Sequence, residues 1–238
     1  MPDLQTCRVT ALIRNTPNLM NLQRCSSVKN EQPERPIIEL LENGPIVAKN
    51  VPHFRGPDGE DIEPKQVMAL CRCGASRNKP FCDGSHSTTE FRSTPSEERT
   101  SDRVRTFEGQ ELTIYYSRLL CSHAGECGKR LRTVFDSSRK PWIAPDNASR
   151  EDIAAVITAC PSGALSYGLR GEPPQHIVKN EVAITIEKCG PYHVNRIGLA
   201  EPHPIKGGCA DKYVLCRCGH SRNKPYCDGT HKDIGWKD

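Results

Sequence analysis

The sequence predicts an α+β chain in which two small β-rich units flank a third, different segment that carries a helix. Three observations point there. A sixteen-residue string from Cys71 to His86 recurs at Cys216 to His231 with 13 of 16 positions identical. Each copy is approached by the same short apolar runs and turns. Gly44 lies 27 residues before Cys71 and Gly190 lies 26 before Cys216, so the repeat is a whole unit of roughly fifty residues. Between the copies stands a stretch with its own helix start and stop signals.

Residues 1–36 read as an N-terminal segment and linker, polar and basic without a sustained period, ending in Glu31-Gln32-Pro33-Glu34-Arg35-Pro36. Cys7 and Cys25 lie here and read as ordinary thiols. The first unit spans 37–90. Ile37 to Leu41 is a strand, Asn43-Gly44-Pro45 a turn, and Ile46-Val47 a second strand. Pro57-Asp58-Gly59 turns the chain again, and Val67 to Leu70 is a short strand feeding Cys71. Ser87 to Asp102, rich in Ser, Thr and Glu, is a linker. The middle domain spans 103–170. Leu112 to Tyr116 is a strand, and a helix follows from the N-cap Ser149, with Glu151 and Asp152 in its first turn. Ile153, Val156, Ile157 and Cys160 share one helical face, Pro161 ends it, and a strand follows near Tyr167. The second unit spans 178–238. Val182 to Ile186 is a strand, Gly190-Pro191-Tyr192 a turn, and Tyr213 to Leu215 feeds Cys216.

Each repeated string holds its donors as C-x-C-x8-C-x3-H. Cys71 and Cys73 flank one residue, so a turned or extended backbone can aim both sulfurs at one centre. Pro80 fixes the approach to Cys82. Asp83-Gly84 signals a turn, and Asp83 suits a helix N-cap. A helix starting there puts Cys82 and His86 four apart on one face. Three thiolates and an imidazole suit structural zinc, although zinc knuckles more often pair cysteines well separated in sequence.

The string resembles the CDGSH, or NEET, family of 2Fe-2S proteins. Both copies fit its pattern C-x-C-x2-S-x3-P-x-C-D-G-[S/T]-H in full. The resemblance implies one 2Fe-2S cluster on Cys71, Cys73, Cys82 and His86, and a second on Cys216, Cys218, Cys227 and His231. A site with three thiolates and a neutral histidine carries one negative charge fewer than a four-cysteine site. It is therefore easier to reduce, and its potential is expected between those of plant-type and Rieske centres. Arg72, Arg77 and Lys79, with Arg217, Arg222 and Lys224, would offset cluster charge and attract an acidic partner. Asn78 and Asn223 are expected to make turn hydrogen bonds. Single-motif relatives pair as homodimers, so two units in one chain imply a monomer with internal pseudo-twofold pairing.

The middle segment carries a second signal. Cys121 and Cys127 match the outer cysteines of a bacterial C-x2-C-x2-C run, and Cys160-Pro161 matches its later Cys-Pro. Ala124 stands at the central cysteine. Residues 105–168 resemble the divergent single-cluster ferredoxin-like domain found beside CDGSH units. Cys121, Cys127 and Cys160 would then hold a 3Fe-4S cluster, or a 4Fe-4S cluster whose fourth iron takes His123, solvent or a remote cysteine such as Cys189. Cys189 and Cys209 otherwise read as structural or free thiols.

The composition bounds what remains. Apolar residues are 36% and aromatics 5% of 238, which suits small metal-held lobes rather than one large core. The net charge of +4 gives no reason to expect nucleic-acid or membrane binding. No apolar run is long enough for a membrane span, and no export signal is evident. Thirteen cysteines in such a chain read as metal ligands before disulfides. The cytoplasm is the expected compartment, with the mitochondrial matrix as the alternative. No nucleophile triad, phosphate loop or dinucleotide fingerprint appears, so the chain is expected not to be an enzyme. It reads as an electron carrier serving a redox partner protein. The alternatives are a store that donates clusters to an apo iron-sulfur acceptor, and a zinc-stabilised interaction module.

Overall fold

The computed structural model describes residues 34–238 apart from residue 203. The N-terminal segment through residue 33, with Cys7 and Cys25, lies outside the described residues. Short strands dominate because β-branched and aromatic residues alternate with polar ones over runs of only four or five positions. In the first unit, β1 (Ile37–Leu40) and β2 (Ile46–Lys49) form a hairpin, followed by β3 (His53–Arg55), β4 (Asp61–Ile62) and β5 (Val67–Leu70). Ile46 and Ala48 are buried while their neighbours in β2 are half-buried, as a period of two requires. The hairpin turn closes through Leu41 N–H to Pro45 O at 3.2 Å and Gly44 N–H to Leu41 O at 3.0 Å.

The middle segment contributes β6 (Val104–Glu108), β7 (Leu112–Ser117), α1 (Glu126–Arg130), α2 (Arg150–Ala159) and β8 (Leu165–Leu169). Its three strands form an antiparallel sheet, β6-β7-β8. Helix α2 starts where Ser149 Oγ accepts the Asp152 N–H at 3.2 Å. It buries Ile153, Val156 and Ile157 and stops with Cys160 as its C-cap, directly before Pro161. Trp142 anchors this core, edge-on to Tyr116 at 4.9 Å between ring centres and to Phe107 at 6.0 Å.

The second unit repeats the first with β9 (Ala183–Ile186), β10 (Tyr192–Asn195), β11 (Gly198–Leu199), β12 (Lys212–Leu215) and a single-turn helix α3 (Thr230–Asp233). The two repeats do not form separate sheets. One sheet runs β11-β1-β2-β5 and the other β12-β10-β9-β3-β4. Each unit thus lends the strand after its hairpin to its counterpart: β11 lies parallel to β1 with Ile38 opposite Leu199, and β3 lies parallel to β9 with Phe54 opposite Ile184. The exchange buries Ile38, Phe54, Ile184 and Val194 to 1% exposure or less. Arg55 of β3 also reaches across to Glu181 in a two-pronged ion pair.

The middle domain packs on the second unit through three polar side chains. Lys212, 3% exposed, donates from Nζ to Ile157 O at 2.8 Å and Ile177 O at 2.6 Å. Asn223 Nδ2 donates to Leu119 O at 2.7 Å, and Lys232 Nζ to His123 O at 2.6 Å. Among the described residues no helix is long and apolar enough to cross a membrane.

Candidate metal centres

The strand that feeds each repeated string also fixes its far end. In the first unit β5 delivers Cys71, whose N–H donates to Pro80 O at 2.8 Å, and Cys82 N–H returns to Ala69 O at 2.8 Å. In the second, Cys216 N–H meets Pro225 O at 2.8 Å and Cys227 N–H meets Val214 O at 3.2 Å. The serine of each string pins the excursion: Ser76 Oγ donates to Phe81 O and Ser221 Oγ to Tyr226 O, both at 2.6 Å. Both Lys-Pro bonds, before Pro80 and Pro225, are cis. Asp83 accepts the Arg77 and Ser85 N–H groups, and those hydrogen bonds, led by the Ser85 hydroxyl, hold its carboxyl well below the usual range. After it, one turn of 3-10 helix at Ser85–Ser87 carries His86, and α3 carries His231.

The eight donors of the two strings come together as four pairs. Cys71 and Cys73 place their sulfurs 3.7 Å apart, and Cys82 Sγ lies 3.3 Å from His86 Nδ1. The second string gives 3.7 Å for Cys216 and Cys218, and 3.4 Å from Cys227 Sγ to His231 Nδ1. Gly84 and Gly229 N–H groups each donate to the sulfur two residues before them, at 3.4 Å. Burial raises the thiols of Cys73 and Cys227. In the second string the hydrogen bond between Cys216 and Cys218 lowers the Cys216 thiol and raises that of Cys218. Desolvation lowers His231, whose Nε2 is buried without a partner among the described residues. A neutral imidazole and buried thiols needing charge compensation fit a bound cation.

The strings meet at their C-x-C ends, where Cys73 and Cys218 form a β-bridge. The next residue must be glycine in both. A Cβ on Gly74 would stand 2.3 Å from Cys218 O and one on Gly219 would stand 2.4 Å from Cys73 O, and both glycines have positive φ, 80° and 84°.

Two features escaped the sequence. Arg72 and Arg217 are turned inward, and Arg217 also pairs with Asp238. They are 5% and 2% exposed, and each holds the turn of its own hairpin. Arg72 Nε donates to Gly44 O and Arg217 Nε to Gly190 O, both at 2.7 Å, and their Nη2 atoms reach Leu41 O and Glu187 O. Each guanidinium lies on an aromatic ring five residues past the histidine, Phe91 at 5.6 Å for Arg72 and Trp236 at 4.9 Å for Arg217. The arginines were visible in the repeat. The shared offset of Phe91 and Trp236 was the signal that could have extended it. Arg77 and Arg222 are exposed.

In the middle domain Cys121, Cys127 and Cys160 line one small cavity with Tyr116, Ala124 and Trp142. Tyr116 and Cys121 share that lining. Burial raises Cys121 and takes Cys127 up to about 11. Ala124 offers no donor there. The His123 ring packs against Gly229 instead, and Cys189 sits in the turn before β10 with its N–H on Asp238. Neither lines the cavity. Cys209 pairs with Lys212 in a short bridge.

Three thiols around one cavity, and two loops of three thiols and an imidazole, define the chain as an iron-sulfur-binding protein. Comparison with known families agrees. The family described as iron-binding zinc finger CDGSH type matches residues 43–87 and 189–232, and the divergent 4Fe-4S mono-cluster family matches 107–170. The chain belongs to these families, with two CDGSH units around one mono-cluster domain. The uncharacterized protein YjdI of Escherichia coli K12 is 38% identical over 63 residues, 26% of this chain and 83% of that protein, and its O157:H7 counterpart matches equally. No solved structure matches the chain.

Proposed function

We propose that the chain is an electron carrier rather than an enzyme, holding a 2Fe-2S cluster in each CDGSH loop and a 3Fe-4S or 4Fe-4S cluster in the middle domain. The observation that carries this reading is the pairing of donors. Two sulfurs about 2.3 Å from one tetrahedral metal stand about 3.7 Å apart, and a sulfur and an imidazole nitrogen about 3.5 Å apart. The separations of 3.7 and 3.3–3.4 Å match two such edges per loop. Among the described residues no three His, Cys, Asp or Glu side chains close on a single ion. That favours a two-metal centre in each loop over one zinc.

Cys71 and Cys73 would hold one iron and Cys82 and His86 the other, with Cys216, Cys218, Cys227 and His231 arranged alike. Such a cluster, when bound, takes up and releases one electron. The protein's part is to desolvate the sulfurs, to donate N–H bonds to Cys82 and Cys227, and to lock the loops through Arg72 and Arg217. Cys121, Cys127 and Cys160 would hold the third cluster, the donor-free Ala124 supporting a non-cysteine ligand or an empty corner. Strands exchanged inside one chain support a monomer, testable by light scattering. A redox partner protein in a reducing compartment, the cytoplasm or the mitochondrial matrix, completes the reading.

The test is EPR of oxidised and reduced protein purified anaerobically, with iron and sulfide analysis. About seven or eight irons per chain are expected. Stoichiometric zinc without sulfide would refute the reading. A second reading, donation of clusters to an apo iron-sulfur protein, is favoured at the first loop by its half-buried Cys82 and His86. Transfer to an apo-ferredoxin separates the two.

A further inference from the structure

The two CDGSH loops are nearly identical in sequence and opposite in surroundings. In the second, Cys216, Cys218, Cys227 and His231 are each at most 4% exposed. In the first, only Cys71 is buried, while Cys73, Cys82 and His86 are half-buried. Among the described residues the middle domain sits against the second loop and not the first. A Cβ built on Gly229 would stand 3.1–3.2 Å from the His123 ring and Ser122 O. Its counterpart on Gly84 would meet nothing within 4 Å among the described residues. The flanking positions repeat this contrast. Asn223 reaches into the middle domain, whereas Asn78 is exposed. Lys232 donates to His123 O, whereas the hydroxyl of its counterpart Ser87 bonds Gly84 O of its own loop.

The seated contact is short. Gly229 N–H donates to the Cys227 sulfur at 3.4 Å, Gly229 abuts Ser122 O, and Ser122 adjoins Cys121. The second loop's face therefore holds a ferredoxin-type cysteine loop within one residue's contact of its own ligand.

We infer that the Asn78, Gly84 and Ser87 face of the first loop is the equivalent docking surface, left open for a separate ferredoxin-type iron-sulfur protein. A second copy of this chain does not fit that seat, because its Cys121 loop is already placed on its own second unit. One electron per encounter passes between the partner's cluster and the first loop's centre, the one oxidised as the other is reduced. The inference rests on the electron-carrier reading above.

The test titrates the full, metal-loaded protein with a panel of bacterial-type ferredoxins, followed by calorimetry. Saturable binding is expected, weakened about tenfold or more by Ser87→Trp and by Asn78→Trp. The remote exposed variant Glu151→Trp should bind as wild type. All three variants should keep the wild-type visible spectrum and its reduction by a viologen. No binding by any ferredoxin in the panel, or equal binding by Ser87→Trp, Asn78→Trp and wild type, overturns the docking surface while viologen reduction stands. A wild-type protein that no viologen reduces undoes the electron-carrier reading itself.

Discussion

Replacing Gly74 with alanine tests whether the two loops depend on each other. The new Cβ would stand 2.3 Å from Cys218 O and 2.8 Å from its carbonyl carbon, where ordinary contact needs about 3.4 Å, so backbone must move by about 1 Å. Two costs add. Holding alanine at φ 80° costs about 1–2 kcal/mol, and forcing two packed backbones apart costs about 1–3 kcal/mol more. Gly59 separates these costs. It has φ 86° and nothing within 4 Å of its Cβ position, so Gly59→Ala should show the first alone. Urea unfolding of both variants should therefore differ by more than about 1 kcal/mol. Because the clash falls on the Cys218 carbonyl, Gly74→Ala should also disturb the spectrum of the second loop, which it does not belong to. Equal loss of stability in the two variants, with the second loop's signal unchanged, would refute the close approach.

Ser149→Ala removes the side-chain acceptor at the start of α2 and should cost about 1 kcal/mol in urea unfolding. Trp236→Ala should cost more than Phe91→Ala by thermal melt, because Trp236 covers Arg217 at 4.9 Å and also faces Lys79 at 5.9 Å, while Phe91 covers only Arg72. Each ring's cationic contact contributes about 0.5–2 kcal/mol. Lys212→Met takes the donor from Ile157 O and Ile177 O and should cost about 1–3 kcal/mol, with proteolysis loosening the middle domain first. Glu187 titrates below its ordinary value, mainly through its hydrogen bond from His193, 2.9 Å away. Its folded value lies below its unfolded one, so its stabilisation is present above about pH 4.5 and is lost as pH falls through the folded value. The difference between wild type and Glu187→Gln in urea midpoint should shrink across that acid range and persist at neutral pH.

Much of the architecture was legible because it rests on local signals. Ser149 and Pro161 bound α2 as capping chemistry requires. The runs ending at Leu70 and Leu215 became the strands that deliver Cys71 and Cys216. What stayed hidden depends on distance. β3 and β11 are short, and nothing local in His53–Arg55 or Gly198–Leu199 says which sheet they join. Only the burial of Phe54 against Ile184 decides that. The β6 strand was missed because no residue of Val104–Glu108 is fully buried, so its pattern lacks an inward face. Arg72 and Arg217 looked like surface charge because a guanidinium that satisfies carbonyls is indistinguishable in sequence from one in water.

The repeat explains both what the sequence conveyed and what it concealed. Thirteen shared positions in sixteen fix the same backbone twice, as the matching hydrogen bonds at Ser76 and Ser221 and the matching sulfur separations show. Function follows surroundings as well as ligands. If each loop holds a redox centre as proposed, its reduction would add a negative charge, which burial disfavours and solvent tolerates. The second loop, closed over by Ser122 and His123, would then differ from the first in how readily it accepts that charge. One string used twice thus stands in two different surroundings, because only one copy carries the middle domain on its face.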